Sequence, residues 1–324
     1  MKDNKLVSLV IPLFNEEEVI PLLAERVSKA TQMPGVRFEL IVVDDGSTDD
    51  TQFKLRQWQD RDERVVIVDL SRNWGHQNAY SAGLEVAKGD AVIFMDGDLE
   101  DPPELIEVLI AKWHEGNDVV YTVKKARELG LAKRILTSLY YLIIGSMSKY
   151  AVEAQAGMYS LVTSRVAQEL RDMPERGKSY PNLRASLGFT QTSVSYQRAA
   201  RACGEPKQTL SRLFGDGLNA LFANTYLPIR AFSIFGLFFS VVFLFIAATI
   251  FFVRATGWEF WVFHDIPGTA LVVIAVLVAG SLQLTFLGVI GEYIARIYEE
   301  SKGRRGYIIR EVIRKESSDS IDNS

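Results

Sequence analysis

In the early part of the chain, short apolar runs alternate with longer stretches of helical spacing. Val7-Ser8-Leu9-Val10-Ile11-Pro12, Phe38-Glu39-Leu40-Ile41-Val42-Val43, residues 65–70 and Ala91-Val92-Ile93-Phe94-Met95 read as buried strands. Residues 16–31, 51–61 and 78–87 read as helices between them. This alternation predicts an α/β fold with a doubly wound, mixed but mainly parallel sheet. Such sheets bind ligands in the crevice outside the carboxyl ends of their strands. The polar clusters Phe14-Asn15-Glu16, Asp44-Asp45-Gly46 and Asp96-Gly97-Asp98 each follow an expected strand, so their acidic groups converge on one crevice.

Later in the chain the pattern changes. Residues 232–253 and 267–290 contain no charged side chain. At about 1.5 Å per residue these runs reach roughly 33 and 36 Å, enough for a bilayer core of about 30 Å, so two C-terminal transmembrane helices are expected. The connection 254–265 holds a single basic residue, Arg254, whereas Lys302, Arg304, Arg305, Arg310, Arg314 and Lys315 follow the second run. The excess of positive charge puts the tail in the cytoplasm, on the side of the N-terminal domain. Trp258 and Trp261 in the connection have the character of interfacial anchors or of packing against a neighbouring subunit. Residues 129–147 and 210–222 carry apolar faces at helical spacing, suited to lying in the membrane interface or to packing on the sheet or another subunit. The expected organisation is a catalytic domain over 1–207, an amphipathic interface helix and linker over 208–230, a two-helix membrane hairpin over 231–298 and a basic tail over 299–324.

Composition narrows the function classes. Of 324 residues only one is cysteine, Cys203, which excludes an internal disulfide framework, and no Cys/His spacing suits zinc. The first residues lack the apolar stretch of a signal peptide, so the catalytic part is expected to stay cytoplasmic. A net charge of −4 without a basic stripe argues against a nucleic-acid partner.

The candidate chemistry sits at the strand ends. Asp96-Gly97-Asp98 supplies hard oxygen ligands suited to Mg²⁺ or Mn²⁺, which take few protein carboxylates and complete their shell with water and phosphate oxygens. By itself Asp-Gly is equally a turn dipeptide. Asp44 is placed to accept hydrogen bonds from a base N–H or a ribose hydroxyl, and Glu16 to contact the nucleoside. Asn15 reads as a helix cap, a functional residue or both.

Four segments together carry a resemblance: Val10-Ile11-Pro12-Leu13-Phe14-Asn15-Glu16, Val43-Asp44-Asp45-Gly46-Ser47-Thr48-Asp49, Ser71-Arg72-Asn73-Trp74-Gly75, and Met95-Asp96-Gly97-Asp98-Leu99-Glu100-Asp101-Pro102-Pro103-Glu104. They resemble the family 2 glycosyltransferases of GT-A fold. The Asp-x-Asp-Leu-x-Asp-Pro-Pro-Glu string, Gly204-Glu205-x-Lys207 after Arg201, and Gly288-x-x-Gly291-Glu292-Tyr293-Ile294-x-Arg296 are similar to the polyisoprenyl-phosphate members. Among these the bacterial undecaprenyl-phosphate (bactoprenol) glucosyltransferases are nearest, with aminoarabinose-transferring enzymes and dolichol-phosphate mannose synthases more distant. The resemblance covers nearly the whole chain.

The resemblance implies inverting transfer of a hexose, glucose by nearest likeness, from a uridine or guanosine diphosphate sugar to polyprenyl phosphate. A multi-pass inner-membrane enzyme with catalytic domain and C-terminus cytoplasmic is expected, and the aromatics of the spans with the amphipathic faces predict a homo-oligomer, although relatives include both monomers and tetramers. Pro12, Phe14, Glu16 and Asp44 would face the nucleoside, Asp96 and Gly97 the ribose or diphosphate, and Asp98, with Asp96, the metal. Arg201 and Lys207 would face phosphates; without the resemblance they read as solvated surface. Relatives carry an aspartate near the positions of Gln155 and Ala156, a catalytic region on the acceptor side, and this chain does not. Pro206 and Gln208 also depart from the pattern around the lysine. Those departures keep a catalytically inactive nucleotide-sugar-binding scaffold open as an alternative. A processive polysaccharide synthase is the other alternative, but the chain lacks a Gln-x-x-Arg-Trp motif and several pore helices.

Overall fold

The computed structural model describes residues 4–124, 156–174, 178–197, 227–256 and 268–315. The described chain divides into two compact units, one holding Met1–Pro206 with Arg304–Ser324 and the other Lys207–Gly303.

In the first unit, β1 (Lys5–Leu13), α1 (Ile20–Ala30), β2 (Val36–Asp44), α2 (Thr51–Arg61), β3 (Val65–Leu70), α3 (His76–Val86) and β4 (Ala91–Phe94) follow the expected alternation. A 3₁₀ turn at Pro103–Leu105 leads to α4 (Ile106–His114), then β5 (Val119–Lys124), β6 (Ala156–Thr163), α5 (Ser164–Asp172), α6 (Tyr180–Ser186) and β7 (Gln191–Tyr196). A last strand, β8, spans Ile309–Ile313. The strands form one sheet in the order β7-β5-β6-β4-β1-β2-β3-β8. The parallel block is β4-β1-β2-β3, with β6 antiparallel to β4 and β8 antiparallel to β3. The chain moves outward from β1 to β2 and β3, then returns to the other side of β1 for β4. A topological switch point therefore opens at the carboxyl ends of β1 and β4.

Alternation along the strands makes the core two-sided. Leu9, Ile11, Leu40 and Val42 point to one face, with Leu23, Val27 and Leu55 from α1 and α2. Val10, Ile41 and Val43 point to the other, with Ala79, Tyr80 and Ala82 from α3. At Gly83 an added Cβ would sit 2.3 Å from Val10 Cγ1, so glycine is what lets α3 lie close on β1.

Two expectations change in detail. The helix expected over 16–31 begins at Ile20, because the preceding residues are taken by another task. Asn15 adopts φ 51°, and the amides of Asn15 and Glu16 donate to Ser47 Oγ (3.0 Å) and Thr51 Oγ1 (2.9 Å). Asn15 is no cap of α1: its Oδ1 accepts from the Thr48 amide at 2.8 Å, stitching the loop after β1 to the loop after β2. The expected basic tail also divides, since 309–313 are the edge strand β8. Arg310 pairs with Asp69 at 3.0 Å and donates to the Ser71 carbonyl at 2.9 Å, while the Tyr307 hydroxyl donates to Glu85 at 2.7 Å.

The second unit holds α7 (Leu227–Thr256) and α8 (Gly268–Ser301), of 30 and 34 residues. Their faces expose large apolar side chains, among them Phe235, Leu244, Leu284 and Leu287. Gly236 admits the Phe286 ring, 3.4 Å from where its Cβ would lie, so the two helices touch there. Among the described residues one stretch, Val278–Ala295, is long and apolar enough to cross a bilayer, and Ser233–Ile246 is a shorter apolar helical stretch. The expected amphipathic segments 129–147 and 210–222, together with Gln155, Arg201, Cys203, Lys207, Trp258 and Trp261, lie outside the described residues.

Candidate active site

The ends of three neighbouring strands build the crevice. Leu13 of β1 pairs with Asp44 of β2, and Val10 of β1 with Phe94 of β4, which brings Pro12, Asp44, Asp96 and Gly97 together. A Cβ at Gly97 would meet Leu13 Cδ2 at 2.3 Å and the Pro12 carbonyl oxygen at 3.2 Å. Glycine here lets the chain leave β4 against the end of β1 without displacing the Leu13 side chain. Pro12 is buried, whereas Phe14 is 37% exposed and Glu16 half-buried at the rim.

Neighbouring aspartates at the end of β2, Asp44 and Asp45, do different work. Asp44 Oδ1 accepts the Ser47 amide at 2.9 Å, closing the turn in which Gly46 takes φ 69°. Asp45 accepts the amides of Trp74 (2.7 Å) and Gly75 (3.0 Å), tying down the loop between β3 and α3. Burial pushes the Asp45 carboxyl above its ordinary value, and those two amides oppose the shift without cancelling it. Arg72, in the same loop, stacks its guanidinium 3.7 Å from the Trp74 ring centroid.

Asp96 receives two donors on one oxygen: the Tyr80 hydroxyl at 2.6 Å and His76 Nε2 at 3.0 Å, both from the first turns of α3. Burial alone would raise the Asp96 carboxyl, but the hydrogen bond and charge of His76, the Tyr80 hydroxyl and the charge of Lys124 hold it below its ordinary value. Asp98 is half-buried, and its Oδ1 accepts the Glu100 amide at 3.1 Å across Leu99, which is left-handed at φ 59°. Beyond it, Asp101 is 1% exposed, bonded to the Tyr196 hydroxyl and 3.9 Å from Lys124 Nζ. The Tyr159 hydroxyl donates to the Pro102 carbonyl at 3.2 Å, and Arg26 grips Glu104 through two bonds of 3.1 and 2.7 Å. The Asp-Pro-Pro-Glu half of the motif thus pins the turn to β6, β7 and α1.

On the opposite side of β4, Ala156 opens β6, paired with Val123 of β5. Arg184 of α6, 3% exposed, donates to the Gly157 carbonyl at 2.8 Å and lies 5.0 Å from the Tyr121 ring centroid. Burial pushes its guanidinium down to about 10. Sequence reasoning missed His76, Tyr80, Asp45 and Arg184. Only the helical i, i+4 spacing of His76 and Tyr80 could have flagged the first two.

No group of three or more His, Cys, Asp or Glu among the described residues could hold a metal ion unaided. The donor set at Asp96 and Asp98 fits a hard divalent cation that draws its other ligands from a diphosphate and water.

Residues 8–166, from β1 into α5, match the model described as glycosyl transferase family 2. A protein named bactoprenol glucosyl transferase, from Shigella phage SfV, is 34% identical over 306 residues, spanning 94% of this chain and 98% of its own. The chain belongs to glycosyltransferase family 2. An uncharacterized glycosyltransferase of Synechocystis sp. is likewise 34% identical, over 307 residues and 95% of its own length, and an uncharacterized glycosyltransferase of Bacillus subtilis, YkcC, 34% identical over 310. Within this family 2 member, the matched span contains the whole crevice, while β7, β8, α7 and α8 lie beyond it.

The His76–Asp96 pair has a measurable signature. Burial lowers the imidazole pKa, but the hydrogen bond and charge of Asp96, with Asp98 and Asp45 behind it, lift it above the ordinary 6.5. A raised imidazole stabilises the fold fully below 6.5 and loses that contribution as pH rises through the folded value. The lowered Asp96 carboxyl contributes fully above 3.8 and loses it as pH falls through its folded value. The pair is therefore strongest between 3.8 and 6.5. The protein has three histidines, so labelled-imidazole NMR should resolve one titrating above 6.5 in nucleotide-free protein, and Asp96→Asn should bring it down. A His76 value at or below 6.5 would contradict the pairing.

Proposed function

We propose that this glycosyltransferase transfers glucose from UDP-glucose to undecaprenyl phosphate, with inversion, at the cytoplasmic face of the inner membrane. The observation that carries the reading is the Asp96-Gly97-Asp98 turn, held at the switch point against the end of β1. The relatives named bactoprenol glucosyl transferase support the acceptor and the sugar.

In this reading, of GT-A type, Asp44 and Glu16 receive the nucleoside, Pro12 and Phe14 wall the base, and Asp96 with Gly97 faces the ribose and diphosphate. Asp98, with Asp96, would hold Mg²⁺ or Mn²⁺, which when bound neutralises charge on the departing diphosphate. An oxygen of the lipid phosphate forms the new bond to the anomeric carbon as the bond to the β-phosphate oxygen breaks, releasing UDP. A phosphate monoester has its second pKa near about 6, so at pH 7 it is already mostly dianionic and requires no general base. This suits a chain with Gln155 and Ala156 where relatives carry an acid. Arg201 and Lys207 are assigned to the phosphates, where cations offset the repulsion between lipid phosphate and donor. The apolar stretches of α7 and α8 are assigned to two membrane spans, with the catalytic unit and C-terminus cytoplasmic and the protein homo-oligomeric.

The test is a donor screen. Purified protein in detergent is given undecaprenyl phosphate, Mg²⁺ or Mn²⁺, and UDP- or GDP-linked hexoses in turn. A glycolipid with UDP-glucose that is lost with EDTA is expected. Nucleotide binding without glycolipid for every donor would instead favour a non-catalytic binding protein.

A further inference from the structure

Asp96 is held unusually well for a carboxylate at a strand end. The Tyr80 hydroxyl and His76 Nε2 both engage Oδ1, at 2.6 and 3.0 Å, and no described residue donates to Oδ2. Two donors on one oxygen restrict the rotation of the carboxylate and leave the second oxygen without a donor among the described residues. The donors are themselves held. Tyr80 is fully buried, edge-on to Phe94 (5.6 Å between centroids) and to His76 (4.8 Å). Tyr180 lies tilted against Phe94, 5.1 Å between centroids, and its hydroxyl bonds Ser81 Oγ at 2.8 Å, next along α3. The start of α3 is fixed in turn by the Asp45 carboxylate on the amides of Trp74 and Gly75.

We propose that Tyr80 and His76 are positioning residues for Asp96, setting the oxygen that meets the donor's ribose or metal-bound diphosphate. This rests on the donor-site reading above and adds residues that the strand-end motifs do not contain. Neither side chain needs to touch the donor. Their effect is to remove the carboxylate's freedom before the nucleotide arrives, so that ordering it does not reduce affinity.

A double-mutant cycle on UDP binding tests this, read by calorimetry with Mg²⁺ on the full-length protein. Tyr80→Phe keeps the buried ring and removes only the hydroxyl. It should weaken UDP binding about tenfold in the wild-type background and less than about twofold in Asp96→Asn, because the hydroxyl acts only through that carboxylate. His76→Gln should show the same dependence on Asp96, and both should raise the KM for donor more than they lower kcat. An equal loss in both backgrounds, or no loss in either, overturns the proposal while leaving the donor site in place. Wild-type protein that binds no nucleoside diphosphate overturns the donor-site reading and this proposal with it. Activity plays no part in the binding arm, so a failure of transfer alone does not bear on it.

Discussion

Replacing Asp98 by Asn is expected to cut the rate of glycolipid formation by at least about a hundredfold while the protein stays folded. Charge stabilisation by a bound divalent ion accounts for several kcal/mol of a transfer barrier, and about 1.4 kcal/mol is a factor of ten. Asp98 is half-buried at the tip of the turn, and the hydrogen bond it accepts from the Glu100 amide, at 3.1 Å, can be kept by an asparagine carbonyl. The substitution therefore removes charge with little change of shape. The check is an initial rate with saturating donor and acceptor beside a thermal unfolding curve. A rate within tenfold of wild type would remove Asp98 from the reaction, and an unfolded variant would move its role to the fold.

Gly46→Ala is expected to be the most damaging small substitution in the catalytic unit. Its φ of 69° costs an L-residue about 1–3 kcal/mol. The added Cβ would also lie 2.3 Å from the Arg72 carbonyl carbon, 2.6 Å from its Cα and 2.7 Å from the Asn73 nitrogen. These are backbone atoms, pinned nearby by Asp45 on Trp74 and Gly75, so they cannot swing aside as a side chain would. Overpacking of this kind adds about 1–3 kcal/mol. Gly116→Ala provides the comparison: φ is 95° but nothing lies within 4 Å of its Cβ, so only the conformational part is lost. Thermal unfolding should fall much further for Gly46→Ala, with nucleotide binding weakened as well. Equal losses would mean that the contact with the β3–α3 loop is soft.

How far the sequence spoke for this structure depended on how local the deciding contacts are. β1 to β4 were legible because each is a mostly apolar run, buried on both faces, and α2 and β3 match their expected bounds at 51–61 and 65–70. β8 was not, because Ile309-Arg310-Glu311-Val312-Ile313 looks like part of a charged tail until its partner, some way back in the chain, is known to be β3. The start of α1 was misjudged for a similar reason: the amides of residues 15–17 are claimed by Ser47, Thr51 and Asp49, side chains of another loop. At the site, Asp44, Asp96 and Asp98 announced themselves by following strands. Asp45 looked like half of a turn dipeptide, and its grip on Trp74 and Gly75 appears only once the loops are side by side. His76 and Tyr80 carried a helical i, i+4 spacing, but a helix expected to begin at residue 78 left the first of them outside.

The central claim is transfer to a lipid phosphate at this crevice, and the product's own spectrum tests it most directly. UDP-glucose labelled at the anomeric carbon, incubated with the purified protein, undecaprenyl phosphate and Mg²⁺, should yield a lipid heavier by one hexose. NMR should show its labelled carbon bonded through oxygen to a single phosphorus, with β configuration inverted from the α-linked donor. Free glucose with UDP, an α-linked product, or unchanged lipid from protein that binds UDP would contradict it.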